Sequence, residues 1–384
     1  SLFDPPDKLS LAHFTSLGLM RGTQNADFQS IFERLASVGA SLGFGASVHN
    51  TSLGGRSLAE DLPLLVDTLA DCILHPVFPE QYCDRLKNQL LTGLAIRAQD
   101  TNEMASLTFD RLLFPNHPYG LPEDGFTETI SAINRSDLVE FHSRNYGPQN
   151  LVVVIAGAVT PQQAFDLFEN KLGTWMNNNM PVTPAFPTIQ PPSETKRQHI
   201  PLQGKSQTDL VMGTLGPKRH AEEYLAASLG NNILGQFGMM GRIGDVVREK
   251  AGLAYYASTS VNSWIDGGSW EVSAGVNPEN IEKAIRLIID ELERFITEPV
   301  SPSELADSQA NYIGRLPLSL ESNAGVANSI LNLERFDLGL DYLQKYPDMI
   351  RSVTPEHILS AAQKYIDPAR LIIASAGPVA SKRN

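Results

Sequence analysis

His13, Ser16 and Leu17 occupy the three chemical positions of a five-residue spacing, His13-Phe14-Thr15-Ser16-Leu17. Written His-x-x-Glu-His, that spacing builds a hydrolytic zinc centre. Two imidazoles on one helical face hold the ion, and a carboxylate takes a proton from the bound water. Here the first imidazole is present, but Ser16 has no carboxylate and Leu17 has no lone pair. The general base and one ligand are therefore missing, and a single imidazole holds zinc poorly. The three residues read as degenerate zinc-motif positions, and the chain is expected to bind no metal or other cofactor of its own.

A second pairing lies far downstream. Arg248 and Tyr255 stand seven residues apart, with Gly252 between them. Glycine accepts the left-handed conformation that ends a helix, so Gly252 is predicted to cap the helix that carries Arg248. Tyr255 then begins a strand, and the turn brings a guanidinium and a phenol to one region. The alternative is a helix-end surface charge beside a strand core residue. Just upstream, residues 234–242 (Leu-Gly-Gln-Phe-Gly-Met-Met-Gly-Arg) are rich in glycine and methionine. Glycines let such a segment move and methionines adapt to varied peptides; a tight turn packed by two methionines is the other reading. The segment matches neither phosphate-binding pattern.

Composition narrows the class. The 384 residues carry 42% hydrophobic and 19% charged side chains, as an ordinary globular protein with a sizeable core does. The formal net charge of −13 argues against nucleic acid as a partner and serves solubility or attraction of basic peptides. The eight histidines, at 13, 49, 75, 117, 142, 199, 220 and 357, include no two spaced by four. Two cysteines, Cys72 and Cys83, are too few for a disulfide framework and read as buried small hydrophobes. No apolar run is long enough to span a membrane, and no signal peptide is visible. The compartment is unknown, with cytoplasm favoured over periplasm.

The elements that must position these groups come in duplicate. Residues 133–157 and 353–377 align without a gap at a period of roughly 220. Each reads as a capped helix, a proline (Pro148 or Pro368) and a buried apolar strand ending in Ala-Gly. A second match pairs His75-Pro76-Val77-Phe78-Pro79-Glu80 with Glu298-Pro299-Val300-Ser301-Pro302-Ser303, each between two long helices. The fold expected is α+β: two homologous domains, each a mostly antiparallel sheet with helices packed on one face. The boundaries are an N-terminal domain over 1–180, a proline-rich linker over 181–198 and a C-terminal domain over 199–384. The second domain opens with strand 199–213, interrupted at 204–207, and holds a hairpin around Asp266-Gly267-Gly268.

These motifs resemble the pitrilysin/insulinase-like zinc metallopeptidases, of the mitochondrial-processing-peptidase type. The resemblance rests on Leu11-Ala12-His13-Phe14, Arg21-Gly22-Thr23, His117-Pro118-Tyr119-Gly120, Asn145-Tyr146 with Pro148 and Asn150-Leu151, and 248–255. It extends over nearly the whole chain. It implies a clam-half architecture, two such halves enclosing a chamber. It also implies a further zinc-binding Glu near 89–99, where this chain has no acidic residue. Family members carry some tens of residues before the His motif, forming the first strands of domain one; twelve precede His13 here. Without those strands domain one is expected to have an uncovered sheet edge. Residues 46–53 are expected to form an edge strand, and secondarily an edge that binds extended peptide.

In the family an Arg/Tyr pair at this spacing reaches into the zinc site of the opposite half. The resemblance thus implies that Arg248 and Tyr255 are substrate-binding: the phenol donates to the developing oxyanion and the guanidinium holds a substrate carbonyl. The function expected is the non-catalytic, regulatory half of a zinc metallopeptidase, inactive alone. It would act on peptides in a heterodimer with, or fused to, a zinc-bearing catalytic homologue, with a homodimer possible in isolation. Two alternatives remain: a structural scaffold or peptide-binding protein with no part in catalysis, and a protease with an unrecognised metal site.

Overall fold

The structure, a computed structural model, describes residues 1–236 and 241–379. The centre of the glycine- and methionine-rich segment, 237–240, lies outside the described residues.

The first half of the chain runs α1 (Leu11–Gly18), α2 (Phe28–Ala36), β1 (Ser41–Ala46), β2 (Thr51–Arg56), α3 (Leu62–Leu74), α4 (Glu80–Arg97), α5 (Thr101–Leu113), α6 (Thr127–Ala132), α7 (Arg135–Asn145) and α8 (Pro161–Leu172). The second half runs β3 (Lys196–Pro201), β4 (Thr208–Leu215), α9 (Tyr224–Gly235), α10 (Gly241–Gly244), a π-helical turn (Asp245–Lys250), β5 (Ala254–Ser263), β6 (Gly268–Val276), α11 (Ile281–Thr297), α12 (Pro302–Ser319), α13 (Asn323–Arg335), α14 (Tyr342–Arg351), α15 (Pro355–Tyr365) and β7 (Ile372–Gly377). Two compact units result. One comprises Ser1–Ile96 with Leu121–Ala185, the other Arg97–Gly120 with Phe186–Asn384.

The second unit holds a five-stranded sheet in the order β3-β7-β4-β6-β5. All its pairings are antiparallel except β3 with β7. Side chains alternate across a strand, so Leu210, Met212, Trp270, Val272, Ala274 and Ile373 share a face. They pack there with Ala284, Ile285, Ile288, Leu292 and Phe295 of α11, whose three-and-four spacing makes one apolar stripe. Residues of the opposite parity, Val211, Ile372, Ala374 and Ala376, are buried too. They are covered by α5, which packs on β4 and β7. A helix from the first half of the chain thus closes the second face of this sheet.

The first unit is built mainly from helices around a core that includes Leu11, Phe14, Leu19, Phe78, Leu86, Leu94 and Leu138. Its hairpin joins β1 and β2. Residues 46–53 are not a continuous edge strand: they contain the end of β1, the turn and the start of β2. Both members of a two-stranded ribbon are edges, so this unit still presents one.

The internal repeat is realised unevenly. In both copies the helix forms with a capping box, Asn134 with Asp137 and Thr354 with His357. In the second copy β7 lies between β3 and β4 and is buried along its length. In the first copy residues 151–157 form no strand. A strand exists only where a neighbour takes its N–H and C=O groups, and no described strand lies beside this segment. Val152 and Val153 consequently stay 42% and 39% exposed. The matched long helices after the Pro motifs, α4 and α12, are both 18 residues long.

Cys72 and Cys83 are buried free thiols, and burial pushes Cys72 up to about 12 and raises Cys83 as well. Neither is primed as a nucleophile. No described helix is long and apolar enough to cross a membrane.

Candidate functional site

His13, Ser16 and Leu17 lie on α1. The helix start is held by Asp4, whose carboxylate accepts from the N–H groups of Ser10 at 2.9 Å and Ala12 at 2.8 Å. His13 is half-buried, and burial lowers its pKa against the opposing charges of Asp124 and Glu123. Its ring is therefore neutral at physiological pH. Ser16 is only 1% exposed, and its hydroxyl donates to the carbonyl of His13 at 2.7 Å. Leu17 packs against the apolar core of the first unit. One residue of the motif is thus a satisfied helix hydroxyl and another a packing residue. The stretch 89–99 supplies amides and apolar groups but no carboxylate. These donors do not fit a zinc ion, which needs three or four N, O or S ligands. Among the described residues no group of three His, Cys, Asp or Glu side chains converges in a way that could hold a metal.

Arg248 and Tyr255 lie in the second unit, at the two ends of one turn. Arg248 sits in the π-helical turn Asp245–Lys250, where a widened backbone re-aims successive side chains. Val247 is fully buried and anchors the turn, while the Arg248 side chain is 35% exposed. Its nearest carboxylate is exposed Glu249, at 3.7 Å. Gly252 ends the turn at φ +63°. Its N–H donates to Arg248 at 3.0 Å, and that of Leu253 to Val247 at 3.0 Å. That pair of bonds is a left-handed glycine cap.

Tyr255 follows at the start of β5. The register against β6 slips between Ala254 and Tyr256, leaving Tyr255 opposite no partner. A bulge of this kind turns a side chain out of the pleat, and Tyr255 is 71% exposed. It is a surface phenol rather than a strand core residue. Two local irregularities, a π turn and a bulge, thus occur at the two residues singled out by spacing.

The support beneath this turn was not visible in the sequence. Arg242 on α10 makes a two-pronged ion pair with Glu304 at 2.7 Å in each prong. That bond holds the Glu304 carboxyl down to about 2. Arg242 also lies 3.8 Å from buried Glu291 of α11. The residue after Tyr255 has a different task. The Tyr256 hydroxyl donates to buried Asp209 at 2.7 Å and accepts from Asn102 of α5 at 2.7 Å. Gln207 donates to the same carboxylate at 2.7 Å, and Thr101 also donates to it. This network pins the start of α5 to the sheet beside β5.

His117-Pro118-Tyr119-Gly120 is structural. His117 is buried, its Nδ1 accepts from the Tyr119 N–H at 3.1 Å, and its ring stacks on Phe186 at 5.4 Å. A Cβ on Gly120 would meet the Phe114 carbonyl at 2.5 Å, which explains the glycine. Tyr146 is half-buried in the first unit, with its hydroxyl 3.5 Å from that of Thr51.

Known proteins similar to this chain are found at the level of family profile, sequence and fold. A family profile described as Insulinase (Peptidase family M16) matches residues 1–113, and one described as Peptidase M16 inactive domain matches residues 132–312. An uncharacterized zinc protease of Mycobacterium tuberculosis is 27% identical over 377 residues, spanning 97% of this chain and 85% of the relative. The beta subunit of the mitochondrial-processing peptidase of Saccharomyces cerevisiae is 24% identical over 336 residues, spanning 83% and 71%. A crystal structure of a peptidase M16 inactive domain from Pseudomonas fluorescens superposes with a TM-score of 0.89 at 26% identity, covering 99% of this chain and 91% of the other. A protease from Helicobacter pylori shares the fold, with a TM-score of 0.89 at 19% identity over 98% and 92%. With the fold and profile matches in both halves in accord, this zinc-protease homologue belongs to the insulinase-like M16 family of metallopeptidases.

Proposed function

We propose that this chain is the non-catalytic half of a two-part zinc metallopeptidase. It pairs with a homologous half, separate or fused, that bears an intact His-x-x-Glu-His and the zinc. Arg248 and Tyr255 complete the site for a peptide substrate. The Tyr255 phenol donates to the oxyanion that develops on the scissile carbonyl, and the Arg248 guanidinium holds a neighbouring peptide carbonyl.

The observation that carries this reading is a contrast. The donors of α1 do not fit zinc, yet a π turn holds Arg248 partly exposed and a bulge turns Tyr255 into solvent. Irregular backbone of this sort costs stability and is kept where a side chain must be aimed. The yeast relative is named as a subunit, which supports a paired assembly.

The test is reconstitution. The chain alone is expected to cleave no peptide and to retain no stoichiometric zinc after dialysis. Mixed with a zinc-bearing homologous half, it is expected to give turnover that neither half shows separately. Zinc-dependent cleavage by the isolated chain would overturn the proposal.

A further inference from the structure

In the first unit two arginines share one aromatic platform, and among the described residues no carboxylate pairs with either. Arg21 follows α1, and its guanidinium carbon lies 4.9 Å from the ring centre of Phe28 at the start of α2. Arg85, in the second turn of α4, lies 5.6 Å from the ring centre of Tyr82. The two rings touch, with centroids 5.2 Å apart, so both cations share one aromatic platform. Among the described residues neither guanidinium makes a hydrogen bond or ion pair. The Arg21 Nε–H is buried with no acceptor. Glu80 and Asp84 lie near in sequence on α4 but pair with neither.

This arrangement is unfavourable as it stands. Burial lowers the Arg21 pKa, and the charge of Arg85 lowers it further. The rings hold each guanidinium from one side, and the terminal Nη groups of a guanidinium held in this way can take a carboxylate in two-pronged fashion. Around Arg85 the exposed face of α4 forms an open hollow of about 690 Å³, lined also by Asp84, Asn88, Gln89, Thr92, Gly93 and Ile96, in which Asp84 is the one carboxylate. Amide and hydroxyl groups of this kind bond peptide backbone without regard to charge. From Arg85 to Ile96 the helix rises about 16 Å, the reach of roughly five extended residues.

We propose that Arg21 and Arg85, held on the Phe28/Tyr82 platform, form a carboxylate-binding site that anchors an acidic group of a bound peptide on α4. The inference rests on the reading that this chain handles peptides, but not on any role of Arg248 or Tyr255 in cleavage. Two sources supply such a group, the free C-terminus of a peptide or an Asp or Glu side chain.

Binding to the isolated chain tests it. Three versions of one fluorescent peptide are titrated: a free acid with no acidic side chain, its C-terminal amide, and the amide with one internal Glu. The amide without Glu is expected to bind at least about tenfold more weakly than one of the other two, and which of them identifies the source. Arg21→Gln and Arg85→Gln should each abolish that preference, while Arg85→Lys keeps a salt-sensitive remnant. In the unmodified chain the Arg21 Nε–H resonance should move downfield on addition of the preferred peptide, a readout independent of how the variants fold. Equal binding of all three peptides, or an unmoved Arg21 resonance at saturation, would overturn the site. Reconstituted turnover is measured separately, so failure of one reading leaves the other standing.

Discussion

Ser16 spends its hydroxyl on the carbonyl of His13, and Leu17 spends its side chain on the core. Neither position is open to a simple reversion. Ser16→Glu with Leu17→His would restore the spacing but place a carboxylate where only 1% of the residue meets solvent. A loss of about 3 kcal/mol or more in urea unfolding is expected, with no peptide hydrolysis gained, since 89–99 still supplies no third ligand. Asp110 offers a second prediction. Burial, then the charge of Glu271, pushes its carboxyl up to about 8. In the unfolded chain it ionises near 4, so the folded state holds the extra proton between those values. Stability contributed by this group is therefore complete at low pH and declines as pH rises towards about 8. Asp110→Asn should flatten the fall in melting temperature between pH 5 and 8; an unchanged slope would exclude Asp110 as its source. His13, Ser16 and Leu17 were legible as chemistry because their spacing is local. Asp110 was not, because a sheet distant in sequence makes its surroundings.

The turn from Asp245 to Tyr255 shows how far an element can be read in advance. The glycine cap and the hairpin around 266–268 follow from residue types, and both form where expected. The π turn and the bulge have no such signature, since both are responses to packing. Gly252 has open space around a hypothetical Cβ, so only its φ of +63° resists substitution. Gly252→Ala should cost about 1 kcal/mol in thermal or urea unfolding. It should also weaken reconstituted turnover more than it weakens folding, because Arg248 depends on that cap for its direction. Strand 151–157 was legible as an apolar run and failed as a strand, because pairing depends on neighbours that the run itself does not encode. The Tyr256–Asp209 bond illustrates the same gap. Its partners lie 47 residues apart, and α5 joins them from another 107 residues upstream of Asp209. Tyr256→Phe leaves a buried carboxylate one donor short, with an expected loss of about 1–3 kcal/mol.

For the whole molecule, duplication was the strongest sequence signal for architecture, and the two copies of the helix–proline–apolar-run repeat both form their helix. The copies differ in how their strands are satisfied. Residues 151–157 leave backbone groups without strand partners next to exposed Val152 and Val153, a surface prone to pairing with another chain. Val152→Lys should lower any self-association seen by sedimentation, without lowering the melting temperature; an unchanged oligomer distribution would show that association uses another surface. The charge of −13 bears on the partner as well, since a net acidic half attracts basic peptides and screens with salt.

Turnover by the reconstituted pair gives the most direct test of the proposed shared site. Tyr255→Phe removes one hydrogen bond donor and leaves a side chain already 71% exposed otherwise in place. The expected result is a fall of about a hundredfold in kcat, with zinc content and affinity between the halves unchanged. An unchanged kcat in Tyr255→Phe, and in Arg248→Ala beside it, would contradict the account and leave this chain a scaffold.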